Sequence, residues 1–276
     1  MLSVLASDEI KRGYEDDGYL VYEDPMRAIR AIDAMGKFGA AFAGENGKRP
    51  PDVPAIAMPS TVLNEADAKR LLSHAGIVMA PETTCQSDGE AVAAAPQFGF
   101  PVVMKILSPD IAHKSEIGGV IVGVASEDAV REAYRLLLER ARTNAARAKI
   151  DGVLVAKQIK DGVECILGIQ RDPVFGPIAL FGLGGIFVEI MEDVALHRCP
   201  FGLDVAQRMI GGIKSAPLLR GARGRAPVNL DALATMLSRL SVIAAQAGPR
   251  LRSIDINPVI ATADGAFAVD AVIVND

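Results

Sequence analysis

A chain of 276 residues, half of them hydrophobic, can build a large core as one large domain or two small ones. Its net charge of −5 argues against a general nucleic-acid or anionic-membrane surface, so any bound anion must meet a local pocket. Cys85, Cys165 and Cys199 are far apart and form no Cys-x-x-Cys pair, so they read as small buried hydrophobes rather than a disulfide framework or a zinc site.

The first twenty residues carry Asp8, Glu9, Lys11, Arg12 and Glu15–Asp17, unlike a signal peptide. The most apolar stretch, Pro177 to Ile190, is Gly-rich, contains Glu189 and is too short to span a bilayer. The expectation is a soluble cytoplasmic protein. After a loose acidic start, Tyr19–Tyr22 reads as a short strand, and Asp24-Pro25 opens a helix with Asp as N-cap and Pro at the first helical position. Ile29, Ile32 and Phe38 give that helix an apolar face. Residues 1–50 thus form a strand–helix segment of their own, and such a segment must dock on something to bury its face. The Pro- and Gly-rich stretch that follows reads as a linker, centred on 51–60.

From Asn64 the pattern becomes α/β. Asn64 with Asp67 resembles a capping box ahead of Leu71, Leu72 and Ala75, and Gly76 ends that helix. A second helix covers roughly 88–97, and Pro101–Leu107 reads as a buried strand. Lys105 shares a face of it with Val103 and Leu107. A lysine on an apolar face is costly unless an anion meets it or its amine snorkels out along a packed stem. Twelve residues of loop, Ser108–Gly119, then precede the strand Val120–Val124; that length suggests function, and Gly118-Gly119 reads either as a simple turn, the commoner case, or as a place where backbone N–H groups approach a phosphate. Ser126 caps a helix over about 126–148.

Asp151–Ile159 and Val163–Ile169 read as a hairpin joined at Asp161-Gly162, with Glu164 near the start of its second strand. The strand Ile178–Phe181 runs into Gly182-Leu-Gly-Gly185, but the third glycine of a dinucleotide loop would fall on Phe187, which excludes a Rossmann fingerprint. Helices follow at about 203–213 and 229–247, the latter capped by Asn229 over a stripe of Leu233, Met236, Leu237, Leu240 and Ile243.

The C-terminal stretch, Arg252–Ile260 and Ala266–Val274 about an Asp264-Gly265 turn, reads as a hairpin. Asp255 and Asn257 point the same way along its first strand. A four-residue loop at 262–265 sets Asn257 opposite Asp270, and a two-residue loop at 264–265 sets it opposite Val272. In both registers Asn257 and Asp270 share a face, roughly 5–8 Å apart. Oxygen ligands on adjacent strands suit a Mg²⁺ ion that also holds phosphates; the competing reading is a solvated polar face of an edge hairpin.

The order of these pieces is specific. A lysine-bearing strand, a His-Lys-Ser plus Gly-Gly loop, Asp-Pro-x-Phe-Gly-Pro, Gly-Leu-Gly-Gly-Ile-x-Val-Glu, and Asp-Ile-Asn-Pro with a later Val-Asp occur in turn. Over 61–276 the chain resembles the ATP-grasp (β) domain of NDP-forming acyl-CoA synthetases, such as ADP-forming acetyl-CoA synthetase, and is similar to the β subunit of succinyl-CoA synthetase. Residues 19–43 resemble the end of the CoA-ligase subdomain that precedes the ATP-grasp part in fused enzymes. The resemblance implies an ATP-grasp fold of two α+β lobes, the smaller about 81–155, with the nucleotide between them. It implies reversible conversion of acyl-CoA, ADP and phosphate to carboxylate, CoA and ATP, with Mg²⁺ and ATP/ADP as cofactors.

By resemblance, Lys105 meets the nucleotide phosphates, Gly118 and Gly119 cover them, Glu164 contacts the nucleotide, and Asn257 and Asp270 hold Mg²⁺. His113 matches a histidine on a mobile loop that relays the phosphoryl group. Glu189 and Asp193 fit the family's Val-Glu-x-x-x-Asp pattern without a role. Ala156 stands where the family usually has a longer polar side chain, which leaves the choice of ADP or GDP open. The family also needs a CoA-binding Rossmann domain and a domain with the main phosphohistidine, which the 276 residues do not hold. An α subunit or domain carrying both, and through it CoA and the acyl substrate, is therefore the expected partner. The alternatives are another ATP-grasp carboxylate ligase and a non-catalytic nucleotide-binding subunit.

Overall fold

The computed structural model describes residues 1–43, 48–59, 61–111, 114–185, 192–221 and 226–276. The chain divides into two compact units, Met1–Gly47 and Lys48–Asp276. In the first, β1 (Leu2–Ser3) pairs in parallel with β2 (Val21–Tyr22), and between them runs a helix, α1 (Asp8–Asp16). The expected loose start is thus helical. Asp8 and Glu9 sit in its first turn, where the unpaired N–H groups favour carboxylates, and Gly18 ends the turn at φ +83°. Of the charge run, Asp8 and Glu9 are accommodated at the helix N-terminus, while Glu15–Asp17 lie at its other end. As expected, α2 (Pro25–Ala43) opens on its proline, with Asp24 Oδ1 accepting from the Met26 N–H at 2.8 Å. Met26, Ile29, Ile32 and Met35 are exposed on it, and Ala28 is the one buried residue among those described in this unit.

The second unit contains two antiparallel sheets. The smaller has the order β3-β6-β4-β5, from β3 (Glu82–Cys85), β4 (Val102–Leu107), β5 (Val120–Val124) and β6 (Gly152–Lys157). Helices α4 (Asp88–Phe98) and α5 (Glu127–Asn144) pack on it, sharing a core of Ala91, Ala95, Met104, Ile106, Leu137 and Val153. Both begin on serine caps: Ser87 and Ser126 each accept a backbone N–H three residues on, at 3.2 Å. The second helix stops four residues before 148, the end read from the sequence.

The larger sheet has the order β11-β10-β7-β8-β9, with β12 also pairing β10. Its strands are β7 (Val163–Asp172), β8 (Gly176–Leu183), β9 (Val194–Arg198), β10 (Leu251–Ala261), β11 (Ala266–Ala268) and β12 (Val272–Asn275). Against it lie α3 (Glu65–His74), α6 (Leu203–Gly212) and α7 (Leu230–Gln246), around Leu72, Phe181, Leu237, Leu240 and Ile256. Asn64 caps α3 by accepting from the Asp67 N–H at 2.9 Å, and Asn229 caps α7 in the same way. Val53 and Ile56, in the stretch that read as a linker, are buried in this larger core.

The hairpin expected from Asp161-Gly162 does not form. Its two strands go to different sheets: β6 pairs β3 and β4, whereas β7 pairs β8 and β10. The Asp-Gly pair is the crossing between sheets. A Cβ on Gly162 would lie 2.3 Å from Ile260 Cγ2, so only glycine lets the chain enter β7 so close to β10. Among the described residues, no helix is long and apolar enough to cross a membrane.

Candidate functional site

The site is built where β10 meets the two strands after it. Ile254 and Ile256 are 1% and 0% exposed, and burying each stabilises the sheet by about 1.5–3 kcal/mol. A slip of one residue would exchange them for Asp255 and Asn257, so the register is firmly set. Asp255 pairs with Val272 on one side and Val259 with Ala268 on the other, and this constant offset places Asn257 opposite Asp270. The loop is the four-residue one, closed by the Ala261↔Ala266 pair. Asp270 itself lies in the break between β11 and β12, because Pro258 on the facing strand has no N–H for the ladder. Pro258 still accepts from the Val269 N–H at 3.0 Å, which holds the two segments in register across the break.

Asp270 reaches into a buried cluster of charges. Lys105 is only 4% exposed. Its Nζ donates to Asp270 Oδ2 at 3.2 Å, Glu65 Oε1 at 2.9 Å and the Val269 carbonyl at 3.0 Å. The anions that a lysine on this strand requires are therefore supplied within the chain. Lys114 Nζ lies 2.9 Å from Glu65 Oε2 and 3.9 Å from Asp270 Oδ2. Its contact with Oε2 is ionic, without hydrogen-bond geometry. Lys69 Nζ lies 2.6 Å from both Glu65 Oε1 and Glu82 Oε2. Three lysines and three carboxylates thus alternate between the two cores. Among the described residues, Asp270 Oδ1 is a buried oxygen without a hydrogen-bond donor.

The electrostatics follow from burial and pairing. Desolvation is the largest single influence on Glu65 and opposes its charge, but Lys105, Lys69 and Lys114 together outweigh it and hold the carboxyl at about 2. Lys105 is held above its ordinary value: burial, again the largest influence, is overcome by Glu65 and Asp270. Glu82 is pushed up, by burial first, against the pull of Lys69. Asp255 is also raised, by desolvation of its carboxyl and then by the charge of Asp270, although the residue as a whole is exposed.

The other sequence candidates are placed as follows. Gly118 and Gly119 close the end of the loop before β5. Their N–H groups donate to Ser115 O at 3.1 Å and Lys114 O at 2.7 Å, and Gly118 has φ +66°. A Cβ on Gly119 would sit 2.8 Å from Ile106 Cγ2 and 2.9 Å from Lys114 O. Glu164 is exposed on β7 opposite Ile260, and no ion pair among the described residues joins it to Lys105 or Asp270. His113 and Glu189 lie outside the described residues. Asp193 accepts the N–H groups of Lys214 and Ser215 at 2.8 and 2.7 Å, which makes it a cap for the turn after α6. Ala156 is buried on β6 between Glu82 and Val103.

Glu65, Lys69, Glu82 and Lys114 were not singled out from sequence. Glu65 and Lys69 are spaced i, i+4 on a capped helix, the signature of an exposed surface pair. The one available signal was the apolar Ala68 and Leu72 beside Lys69. A cavity of about 620 Å³ lies at the β7–β8 turn and includes neither Lys105 nor Asp270. Two of its cations are already engaged, Arg171 with the carbonyls of Leu251 and Gly248 and Arg252 with Asp276.

Two lobes with antiparallel sheets, joined through a buried lysine and a carboxylate hairpin, define an ATP-grasp domain, and the family model described as "ATP-grasp domain" matches residues 54–274. A relative from Pyrococcus furiosus, the β subunit of ADP-forming acetate–CoA ligase I, is 43% identical over 209 residues, 76% of this chain and 90% of that protein. The ADP-forming acetate–CoA ligase I of Archaeoglobus fulgidus is 34% identical over 274 residues, 95% of this chain and 40% of that longer protein. Solved structures of acetyl-coenzyme A synthetase 1 from Candidatus Korarchaeum cryptofilum are also similar. One, in complex with coenzyme A and Ca-AMPCP, has 42% identity and a TM-score of 0.75, covering 78% of this chain and 93% of that one. Another, with Mg-AMPPCP and a phosphohistidine segment pointing towards the nucleotide site, has 38% identity and a TM-score of 0.66, covering 77% and 92%. The chain belongs to the ATP-grasp family, among the β subunits and domains of ADP-forming acyl-CoA ligases.

Proposed function

We propose that this chain is the nucleotide-handling β part of an NDP-forming acyl-CoA synthetase, moving phosphate between ATP/ADP and an acyl phosphate by way of phosphohistidine. The observation that carries the reading is the Lys105–Asp270 pair. A buried ammonium, a carboxylate with an unsatisfied second oxygen and an amide opposite it supply, in one place, groups for phosphate and for a hard cation. Asp270 and Asn257 would hold Mg²⁺, whose part when bound is to neutralise phosphate charge. Lys105, once released from Asp270, donates to the phosphates. Glu164 contacts the nucleotide. For Gly118 and Gly119 to cover a phosphate, their N–H groups must exchange the Ser115 and Lys114 carbonyls for phosphate oxygens.

The relay role belongs to His113. A neutral imidazole nitrogen forms a P–N bond as the bond from phosphorus to the ADP oxygen breaks, and the phosphoryl group then passes to the partner's histidine. CoA and the acyl group are handled by an α subunit or domain with a CoA-binding Rossmann fold and the main phosphohistidine. A cytoplasmic location accords with this chemistry. Titration calorimetry of the full chain with Mg·ADP tests the reading: saturable binding that is lost in Lys105→Ala is expected, and absence of binding by the wild type would refute it.

A further inference from the structure

Glu65 is the centre of the charge cluster, yet phosphate and metal chemistry leave it without a part. It opens α3, and its side chain is 0% exposed. A carboxylate so buried persists only with close partners. Its two oxygens engage three ammonium groups: Lys69 at 2.6 Å, Lys105 at 2.9 Å and Lys114 at 2.9 Å. Lys105 and Lys114 are also the two cations that reach Asp270 Oδ2, at 3.2 and 3.9 Å. Glu65 therefore stands across both lysines from Asp270 and competes with it for them.

We propose that Glu65 is a positioning residue that keeps Asp270 available to a divalent cation. The inference rests on the reading of Asp270 as the metal ligand. A cation that takes Asp270 must displace Lys105 and Lys114. With Glu65 ionised, each displaced lysine keeps a carboxylate, and Lys105 stays fixed within reach of the phosphates. With Glu65 neutral, Asp270 is the one carboxylate left to both lysines among the described residues. The cation must then break a two-lysine pair and strand buried charges, which is strongly unfavourable.

The test is the Mg²⁺ dependence of AMPPCP binding by the full chain, measured by titration calorimetry in the wild type, Glu65→Gln and Glu65→Asp. Glu65→Gln keeps the size and removes the charge. It should raise the Mg²⁺ concentration for half-maximal binding by about tenfold or more, within the usual range of coupling between sites. Glu65→Asp keeps the charge and should rise less, by about threefold. A purely structural role would lower the melting temperature and leave the Mg²⁺ requirement of the folded protein unchanged, and that result overturns the proposal. If Glu65→Gln does not fold, Glu65→Asp decides, because an unchanged requirement in it has the same meaning. A wild type that binds no AMPPCP at any Mg²⁺ concentration removes the functional reading itself, and this inference with it.

Discussion

Lys105 Nζ and Asp270 Oδ2 lie 3.2 Å apart, so the lysine assigned to phosphate and the carboxylate assigned to metal are each other's counter-ions when neither ligand is bound. On these proposed roles, nucleotide and metal arrive as a matched set of charges. Removing Lys105 takes from the buried Glu65 one of its three ammonium partners and from Asp270 the nearer of its two. Lys105→Met, close in volume, should destabilise the fold by about 3–5 kcal/mol. Urea denaturation followed by circular dichroism reads this directly. A loss below about 1 kcal/mol, the range of exposed pairs, would mean that the cluster is solvated.

Asp270→Asn should separate the two ligands. The amide keeps the shape and an acceptor oxygen but gives up the charge that attracts the cation. Affinity for Mg·ADP should fall by about a hundredfold, equivalent to about 2.7 kcal/mol. Calorimetric affinity equal to the wild type would remove Asp270 from the metal site.

Acid should weaken the fold through Glu65. Its folded value of about 2 lies below its ordinary value of 4.5, so it contributes stability that is fully present above 4.5 and lost as pH falls towards 2. Glu82 and Asp255 are shifted upward by burial and act in the opposite sense, since acid relieves their buried charge first. The wild type should lose stability between pH 4.5 and 2 more steeply than Glu65→Gln, as measured by melting temperature against pH. Parallel curves would contradict the buried pairing.

The thiols should be inert in the folded chain. Cys165 and Cys199 are pushed up to about 12 and Cys85 to about 11, in each case mainly by burial. Ellman's reagent should titrate none of these three free cysteines until denaturant is added. Rapid labelling of any of them under native conditions would place it at a surface.

The relation of sequence to structure divides by the range of the forces involved. Helices α3, α5 and α7 were legible because their caps, Asn64, Ser126 and Asn229, act within three residues. The Asn257–Asp270 register was legible because alternation and loop length leave few choices. The partnering of β6 was not, because an Asp-Gly turn between two apolar runs looks the same whether the strands pair or part. The crossing is decided by the fit of Gly162 beneath Ile260, a contact 98 residues away in sequence, 260 minus 162. Lys105 could be seen to need an anion. That Glu65 would be one could not, since the two are 40 residues apart and meet only when α3 and β4 come together.

On the proposed function, this chain supplies the nucleotide half of an ADP-forming acyl-CoA synthetase. The most direct measurement mixes it with the α partner that copurifies from its native source, adds acetyl-CoA, Mg·ADP and phosphate, and follows ATP by luciferase. ATP should form only when both proteins are present, and should fail to form when the chain carries Asp270→Ala. Full turnover by the chain alone, or ATP formed at the wild-type rate with Asp270→Ala, would contradict the account.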